Sequence, residues 1–169
     1  MNPRITIIVA LSENNVIGDH LTIPWHIVAD LKRFRAVTTG HTIIVGRTTF
    51  ELIKQAYKNL NKPMPDRKTI IITNNSSYKT IEKECHVVHS MEEAIKLGKK
   101  IEPTEIFIAG GASIYKLGML FADRLMLTVV HQTVTGDALF PDYSAFSKII
   151  SEESHEENGL HFTYRTLEP

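Results

Sequence analysis

The chain has 169 residues, of which 43% are hydrophobic and 22% charged, and its 19 basic and 19 acidic side chains cancel to a formal net charge of zero. A balanced charge gives no reason to expect nucleic acid or an anionic membrane surface as a partner, and no apolar run reaches the length of a membrane span. The length predicts one domain, residues 1–169, large enough to bury a proper hydrophobic core.

Cysteine and histidine usage argues against a disulfide and against a metal site. The single cysteine, Cys85, has no partner for an internal disulfide, and no signal peptide precedes the first strand; both observations favour a reducing cytoplasm. The eight histidines are scattered, without a His-x-x-x-His or Cys-x-x-Cys spacing. We therefore expect a cytoplasmic protein that holds no metal.

Alternating strands and helices are predicted along most of the chain. Apolar runs rich in β-branched residues predict strands at residues 5–11, 42–45, 68–73, 86–89, 105–109, 124–131, 148–153 and 160–167. Helices are expected after Pro24 as far as Thr39, from Arg47 onwards, at 91–99 and at 112–119. This order predicts an α/β fold with a central, mostly parallel eight-stranded sheet, an antiparallel C-terminal edge and helices on both faces.

Local signals refine this outline at three places. Thr48 and Glu51 have the spacing of a capping box, and Ser90 is positioned as the N-cap of the 91–99 helix. Residues 12–24 form a long connection with turn signals at Asn14 and Gly18. Connections of that length in a compact domain are usually functional.

The stretch 23–34 combines a carboxylate with large apolar side chains. Asp30 falls in the first turn of the predicted helix, with Phe34 on the same face and with Trp25 and Leu31 nearby. One interpretation is a solvated carboxylate that favours the helix N-terminus. The other is a carboxylate in an apolar pocket, able to bind a polar heterocycle or to relay a proton.

Two strand-to-helix turns have the features of anion sites. Gly46-Arg47-Thr48-Thr49 combines a helix start with a fixed positive charge, and Gly110-Gly111 lets the backbone approach a ligand closely. Both turns should lie at the carboxyl ends of parallel strands, where ligands bind. The alternative is that the glycines only turn the chain and Arg47 is solvated. No Gly-x-Gly-x-x-Gly fingerprint is present.

Six motifs in register carry a family resemblance. They accompany the 23–34 stretch and are the apolar run at 5–11, Asn-Val-Ile-Gly at 15–18, Val-Gly-Arg-Thr-Thr-Phe at 45–50, Pro-Met-Pro-Asp-Arg at 63–67, Ala-Gly-Gly to Tyr at 109–115 and Gly-Asp to Phe-Pro at 136–141. In this order the chain resembles the bacterial dihydrofolate reductases from about residue 5 to residue 164. The resemblance implies hydride transfer from NADPH to C6 of 7,8-dihydrofolate and proton delivery to N5.

The resemblance also implies a set of site residues. Asp30, Trp25, Thr128 and Tyr115 would take part in catalysis, and residues 14–24 would close over the nicotinamide. The substrate positions would be Ile8, Asp30, Leu31, Phe34, Phe50, Ile53, Met64, Arg67 and Thr128. The cofactor positions would be Ala10, Ile17, Gly18, Gly46, Arg47, Thr48, Thr49, Thr73, Asn74, Gly110, Gly111, Ala112, Ser113, Ile114 and Tyr115. In this family the Gly-Gly peptide is commonly cis.

The chain departs from the family pattern most clearly at residues 54–61, which look inserted. The Arg47 helix could continue through them, with Leu52, Ala56 and Tyr57 over the sheet and with Lys54 and Lys58 as a basic outer stripe. The segment either borders the substrate's glutamate tail or is a solvated extension.

Two other functions stay open. They are a pyrimidine reductase of riboflavin synthesis with the same fold, and a non-catalytic pterin- or dinucleotide-binding module. Without the resemblance, Arg67 would be read as a solvated loop arginine. We expect a monomer.

Overall fold

An eight-stranded sheet runs through the molecule, whose computed structural model describes residues 2–169. The strands are β1 (Arg4–Ser12), β2 (Val16–Gly18), β3 (Thr42–Gly46), β4 (Lys68–Ile72), β5 (Cys85–Val88), β6 (Glu105–Ile108), β7 (Arg124–Val130), β8 (Ala138–Leu139), β9 (Lys148–Glu157) and β10 (Leu160–Glu168). The helices are α1 (Val28–Thr38), α2 (Arg47–Asn59), α3 (Met91–Ile101) and α4 (Ala112–Gly118).

The order across the main sheet is β5-β4-β3-β6-β1-β7-β10-β9. The first six strands in this order are parallel to their neighbours, whereas β10 is antiparallel to β7 and to β9. The β9–β10 hairpin turns at Asn158 and Gly159, whose φ angles of 52° and 80° suit a two-residue hairpin turn. The predicted α/β class, with its antiparallel C-terminal edge, is confirmed.

Helices cover both faces of the sheet because alternate residues of its central strands are apolar on each side. Ile7, Ile70 and Ile106 pack on the face that α3 and α4 cover. Ile8 and Phe107 pack on the other face, against side chains of α1 and α2. Across residues 2–169, no helix has both the length and the apolar character needed to cross a bilayer.

The predicted capping box of α2 is wrong. The helix begins at Arg47, and its N-cap is Gly46, two residues before Thr48, with no side-chain hydrogen bond. Glu51 is used elsewhere: it accepts a 2.5 Å hydrogen bond from the Tyr78 hydroxyl. The other predicted cap is confirmed, since Ser90 accepts a 3.1 Å bond from the backbone N–H of Glu93.

The 54–61 segment does extend α2, which continues to Asn59. The expected orientation of the extension is wrong, because Leu52 and Ala56 are exposed. Phe50, Ile53 and Tyr57, at spacings of three and four, occupy the inward face instead. A helix presents one stripe to the sheet, and Phe50 fixes which stripe that is by being almost completely buried.

The 12–24 connection contains a short strand that the sequence pattern did not reveal. β2 pairs with β8 in a separate two-stranded sheet, through Val16 with Leu139 and Gly18 with Ala138. Gly136 permits this pairing, because a Cβ there would lie 2.5 Å from the carbonyl oxygen of Gly18. Strands of two and three residues are too short to show an alternating pattern.

Candidate active site

A cavity of about 260 Å³ opens between β1, the connection after β2 and the start of α1. Its walls are formed by Ala10, Ile23, Trp25, His26, Ile27, Asp30 and Leu31. Asp30 is the only carboxylate in this lining, so the one acidic group faces mainly apolar side chains. The predicted combination of Asp30 with Trp25 and Leu31 is therefore present in the folded chain.

The start of α1 is fixed by a residue far away in sequence. The N-cap, Ile27, has no side chain that can accept a hydrogen bond. The Glu157 carboxylate at the end of β9 substitutes for it and accepts bonds of 2.7 Å from the N–H of Val28 and 3.0 Å from that of Ala29. These two bonds satisfy free N–H groups of the first turn, the turn that carries Asp30.

Asp30 is half-buried, and one side-chain hydrogen bond holds it among residues 2–169. The Thr128 hydroxyl on β7 donates to Oδ1 of Asp30 at 2.6 Å. Burial raises the pKa of Asp30, and the Thr128 bond and the charge of Arg33 partly oppose this. A carboxyl group with a raised pKa among apolar walls favours the pocket interpretation over that of a solvated helix-end aspartate.

An apolar slot lies along α1 beyond Asp30. Ile8 and Phe50 are buried there, in one cluster with the partly buried Phe34, Met64 and Ala109. Leu31 is 52% exposed and lines the open side. Ile53 of α2 is partly buried. These side chains have the apolar character of a binding site for flat aromatic rings.

Arg67 lies at the far end of this slot. Its side chain is buried, with 7% of the residue's surface exposed, so it is not a solvated loop arginine. Nη1 donates to the Thr38 hydroxyl at 2.8 Å, and the guanidinium lies 5.2 Å from the ring centroid of Phe34. Nε and Nη2 are buried and have no hydrogen-bond partner among residues 2–169. These two nitrogens form one edge of the guanidinium fork, the edge that binds a carboxylate in bidentate fashion.

The two glycine-containing turns lie against each other at the carboxyl ends of the neighbouring strands β3 and β6. The N–H of Gly46 donates to the carbonyl of Gly110 at 2.8 Å. A Cβ added to Gly111 would lie 3.3 Å from Oγ1 of Thr49, and one added to Gly46 would lie 3.1 Å from Ile114. The Gly110–Gly111 peptide is cis, as the resemblance implied. Ala112 and Ser113 begin α4 directly afterwards.

Arg47 and the end of β4 border these turns. Arg47 and Thr48 are exposed at the start of α2, and Cζ of Arg47 lies 5.7 Å from the ring centroid of Tyr78. Thr73 directly follows β4 and accepts a 3.1 Å bond from the N–H of Asn75, while Asn74 is exposed. Tyr78 was not recognised from the sequence, because no local pattern links it to Arg47.

Tyr115 connects this region to the cavity. Its hydroxyl donates a 2.9 Å bond to the carbonyl oxygen of Ile8 in β1, and complete burial raises its pKa. Ala10, two residues further along β1, is a register partner of Thr128. Ile17 and Gly18 belong to β2, in the segment that leads to Trp25. Tyr115 therefore contacts β1, which carries Ala10, and β2, which carries Ile17 and Gly18, lies beside the same strand.

Several residues near the site were missed by sequence reasoning. Arg33 follows Asp30 by three positions on α1, a spacing that could have drawn attention to it. Tyr57 and Arg35 influence the pKa of Arg67 and so lie near the end of the slot. Glu157 is brought to the site only by the chain's long-range pairing.

One group of possible metal ligands exists among the described residues, although no metal site was expected. Single ligand atoms of Asp19, His20 and Asp137 lie within 4.8 Å of one another on the β2–β8 side of the molecule. His20 and Asp137 are exposed. Exposed acidic groups of this kind are common without an ion, and the cluster is not assigned a ligand.

Comparison with known proteins agrees with this geometry. The family model described as dihydrofolate reductase matches residues 4–169. A dihydrofolate reductase of Bacillus subtilis (strain 168) is 35% identical over 165 residues, which cover 96% of this chain and 92% of the relative. A type 3 dihydrofolate reductase of Salmonella typhimurium is 37% identical over 139 residues, covering 82% of this chain and 79% of the relative.

Among solved structures, a dihydrofolate reductase from Enterococcus faecalis, complexed with NADP(H) and RAB-propyl, superposes with a TM-score of 0.83. Its sequence identity is 29%, and the match covers 99% of this chain and 97% of that one. The fold, the paired glycine turns and the cavity lined by Asp30 thus occur in a chain that matches one family over residues 4–169. The chain belongs to the dihydrofolate reductase family.

Proposed function

We propose that Asp30, Arg67 and the slot between them carry out the NADPH-dependent reduction of 7,8-dihydrofolate to 5,6,7,8-tetrahydrofolate. One observation carries the proposal: α1 presents Asp30, Phe34 and Thr38 on a single face, and Thr38 contacts Arg67. Eight residues of helix separate the two polar ends by about 12 Å. This spacing suits a ligand with a polar heterocycle at one end, an aromatic ring in the middle and a carboxylate at the other end.

Asp30 recognises the heterocycle in this proposal. The Thr128 hydroxyl occupies one lone pair of Oδ1, so Oδ2 and the second lone pair of Oδ1 are free to accept from the N–C–N edge of a pteridine. Burial strengthens these bonds, because less water competes for the carboxylate. Leu31, Phe34, Phe50, Ile8, Ile53 and Met64 surround the rings.

Arg67 recognises the tail. Its unpaired Nε and Nη2 edge can donate two parallel hydrogen bonds to the α-carboxylate of the glutamate. Two buried donors without partners are costly in the free protein, which is the expected cost of a site prepared for a ligand. The neighbouring charge of Arg35 adds to the attraction for an anion.

The cofactor residues fit an anionic dinucleotide. The N-terminus of α2 has no side-chain cap, so its N–H groups can bind the pyrophosphate, with Thr48, Thr49 and Arg47 around it. The absent Cβ of Gly111 leaves the space beside Thr49 open to a ligand. Arg47, with the buried Thr73 and the exposed Asn74, would hold the 2′-phosphate. Bound NADPH supplies the hydride, and Tyr115, Ala10, Ile17 and Gly18 would hold the nicotinamide end against the pteridine.

Asp30 also supplies the path for the proton. It favours protonation at N5, through a water in the cavity, because a half-buried carboxylate stabilises positive charge on the ring beside it. Thr128 fixes the orientation of Asp30, and Trp25 helps to exclude bulk water. The 14–24 connection, tied to β8 through β2, would open and close over the nicotinamide.

Two other functions are less well supported. A pyrimidine reductase of riboflavin synthesis would bind a hydrophilic sugar chain where this chain has Phe34, Phe50 and Ile8. A non-catalytic binding module would not need a carboxylate with a raised pKa. We also propose that the protein acts as a monomer in the cytoplasm, without nucleic acid or membrane partners, in keeping with its zero net charge.

The test is the fall in NADPH absorbance when protein, NADPH and dihydrofolate are mixed. Turnover that requires dihydrofolate, and not the deaminated riboflavin-pathway pyrimidine, is the expected result. Binding of both ligands without turnover would favour the binding module, and turnover of the pyrimidine alone would favour the alternative reductase.

A further inference from the structure

Arg33 is a half-buried cation that the proposed mechanism does not use. Its Cζ lies 4.1 Å from the centroid of the Tyr164 ring, directly over the ring face. Arg33 makes none of the side-chain ion pairs found among residues 2–169. Burial lowers its pKa, but an arginine stays charged throughout the working range of pH. A cation that remains in such a position without an ion-pair partner needs an explanation.

The strand pairing explains why the Arg33 charge lies close to Asp30. Thr128, which donates to Asp30, is the register partner of Tyr164 in the β7–β10 ladder. Tyr164 therefore lies next to the threonine that orients the carboxylate, and its ring holds the guanidinium that follows Asp30 by three positions on α1. A guanidinium is attracted to the face of an aromatic ring, so this contact favours a position of Arg33 beside the carboxylate over one in solvent.

Other ionisable groups also face this region and belong to the same electrostatic balance. Burial lowers the pKa of Arg33, and the charge of Glu153, across the β9–β10 ladder from Tyr164, partly opposes this. Burial raises the pKa of Tyr164, and the charges of Glu153 and Glu157 raise it further. The ring centroids of His155 and Tyr164 lie 4.9 Å apart, and Nε2 of His155 lies 3.2 Å from Oε2 of Glu153. Burial raises the pKa of Tyr115 in α4, and the charge of Asp30 raises it further. His26 lines the same cavity as Asp30. Arg33 is the positive group whose charge opposes the effect of burial on the pKa of Asp30.

We propose that Arg33, held on the Tyr164 ring, is a positioning residue whose charge opposes protonation where Asp30 meets the pteridine and so sets the upper pH limit of turnover. The inference rests on the proposed role of Asp30. Burial favours the neutral carboxyl, which cannot accept two bonds from the pteridine; a fixed cation nearby favours the ionised form. The same cation opposes protonation of the ring at N5. Turnover must therefore decline at a lower pH than it would if position 33 were neutral.

The experiment compares the pH profiles of hydride transfer in single turnovers of the wild type, Arg33→Gln, Arg33→Lys and Lys32→Gln. Lys32 is the matched control: it is exposed, lies on the same turn and carries the same charge. Arg33→Gln should extend the declining limb to higher pH. At a fixed pH on that limb its rate should be roughly 3- to 10-fold above wild type, since a single-proton limb falls tenfold per pH unit. Arg33→Lys should keep most of the wild-type profile, and Lys32→Gln should not move the limb.

A second pair of variants, at Tyr164, tests the same inference if Arg33→Gln does not fold. Tyr164→Leu removes the ring that fixes Arg33 and should move the limb in the same direction, whereas Tyr164→Phe keeps the ring face and should leave the limb unchanged. A limb in Arg33→Gln that coincides with wild type, or that moves no more than in Lys32→Gln, would overturn the inference. Asp30→Asn distinguishes a failure of the proposed role of Asp30 from a failure of the inference about Arg33. If that variant keeps a wild-type profile, the proposed role of Asp30 fails; if it loses the profile while Arg33→Gln changes nothing, only the inference about Arg33 fails.

Discussion

Replacing Arg67 with leucine should weaken the binding of dihydrofolate while leaving the free protein at least as stable. In the free protein two of its buried nitrogens lack partners, and each such group costs about 1–3 kcal/mol. Leucine removes this cost and fills much of the same volume. Thr38 loses one contact, but its hydroxyl still donates to the carbonyl of Phe34 at 2.7 Å. The melting temperature without ligand should therefore hold or rise.

The loss of affinity for dihydrofolate follows from removing the Nε and Nη2 edge of the Arg67 guanidinium. Charge-assisted hydrogen bonds contribute about 1.5–3 kcal/mol, so the dissociation constant should increase roughly 10- to 150-fold. Quenching of Trp25, the only tryptophan, provides the assay, because its side chain lines the cavity. A pteridine without the glutamate tail is the control and should bind the variant and the wild type equally. An equal loss for both ligands would refute the reasoning, since Arg67 would then act through the fold.

Three further outcomes are expected. Arg47→Ala should reduce the use of NADPH more than that of NADH, as compared by kcat/KM for each; equal reductions would mean that Arg47 does not contact the 2′-phosphate. Lys58→Ala with Lys62→Ala should raise the KM for polyglutamylated dihydrofolate more than for the monoglutamate, and an equal effect would leave the end of α2 a solvated extension. Glu157→Gln should lower the melting temperature at neutral pH, with Glu156→Gln as the control. Two backbone N–H groups lower the pKa of Glu157, so its stabilisation is present at neutral pH and is lost as the pH falls through that lowered value; a difference that persists at acid pH would contradict this.

The main sheet was predictable because its strands carry their signal locally. The runs of Ile and Val in β1, β3 and β4 are long enough to indicate strands buried on both faces, and each predicted strand is present within a few residues of its expected bounds. The exception is the pair β2 and β8. They hold only three and two residues, and they pair because Gly136 permits a close approach that no local pattern records.

The site residues also divide into those with a local sequence signal and those brought together only by tertiary contacts. Asp30 and the glycine turns could be found because type and spacing point to their chemistry. The Thr48–Glu51 cap failed because β3 ends at Gly46 and α2 starts directly afterwards, which moves Thr48 inside the helix. Tertiary pairing alone brings Glu157 to the first turn of α1 and Tyr164 to Arg33. Residues brought together across more than 100 positions leave no periodic signal in a single sequence.

The pH dependence of hydride transfer in Asp30→Asn tests the central claim most directly. Binding of NADPH to this variant, measured first, checks the fold, since Asp30 lies outside the proposed cofactor site. At neutral pH the rate should fall by about 10²–10⁴, the usual effect of losing a general acid or proton relay. It should recover as the pH is lowered, because solvent can then protonate the substrate. A variant that turns over like the wild type at neutral pH would contradict the account, because Asp30 would then have no part in moving the proton.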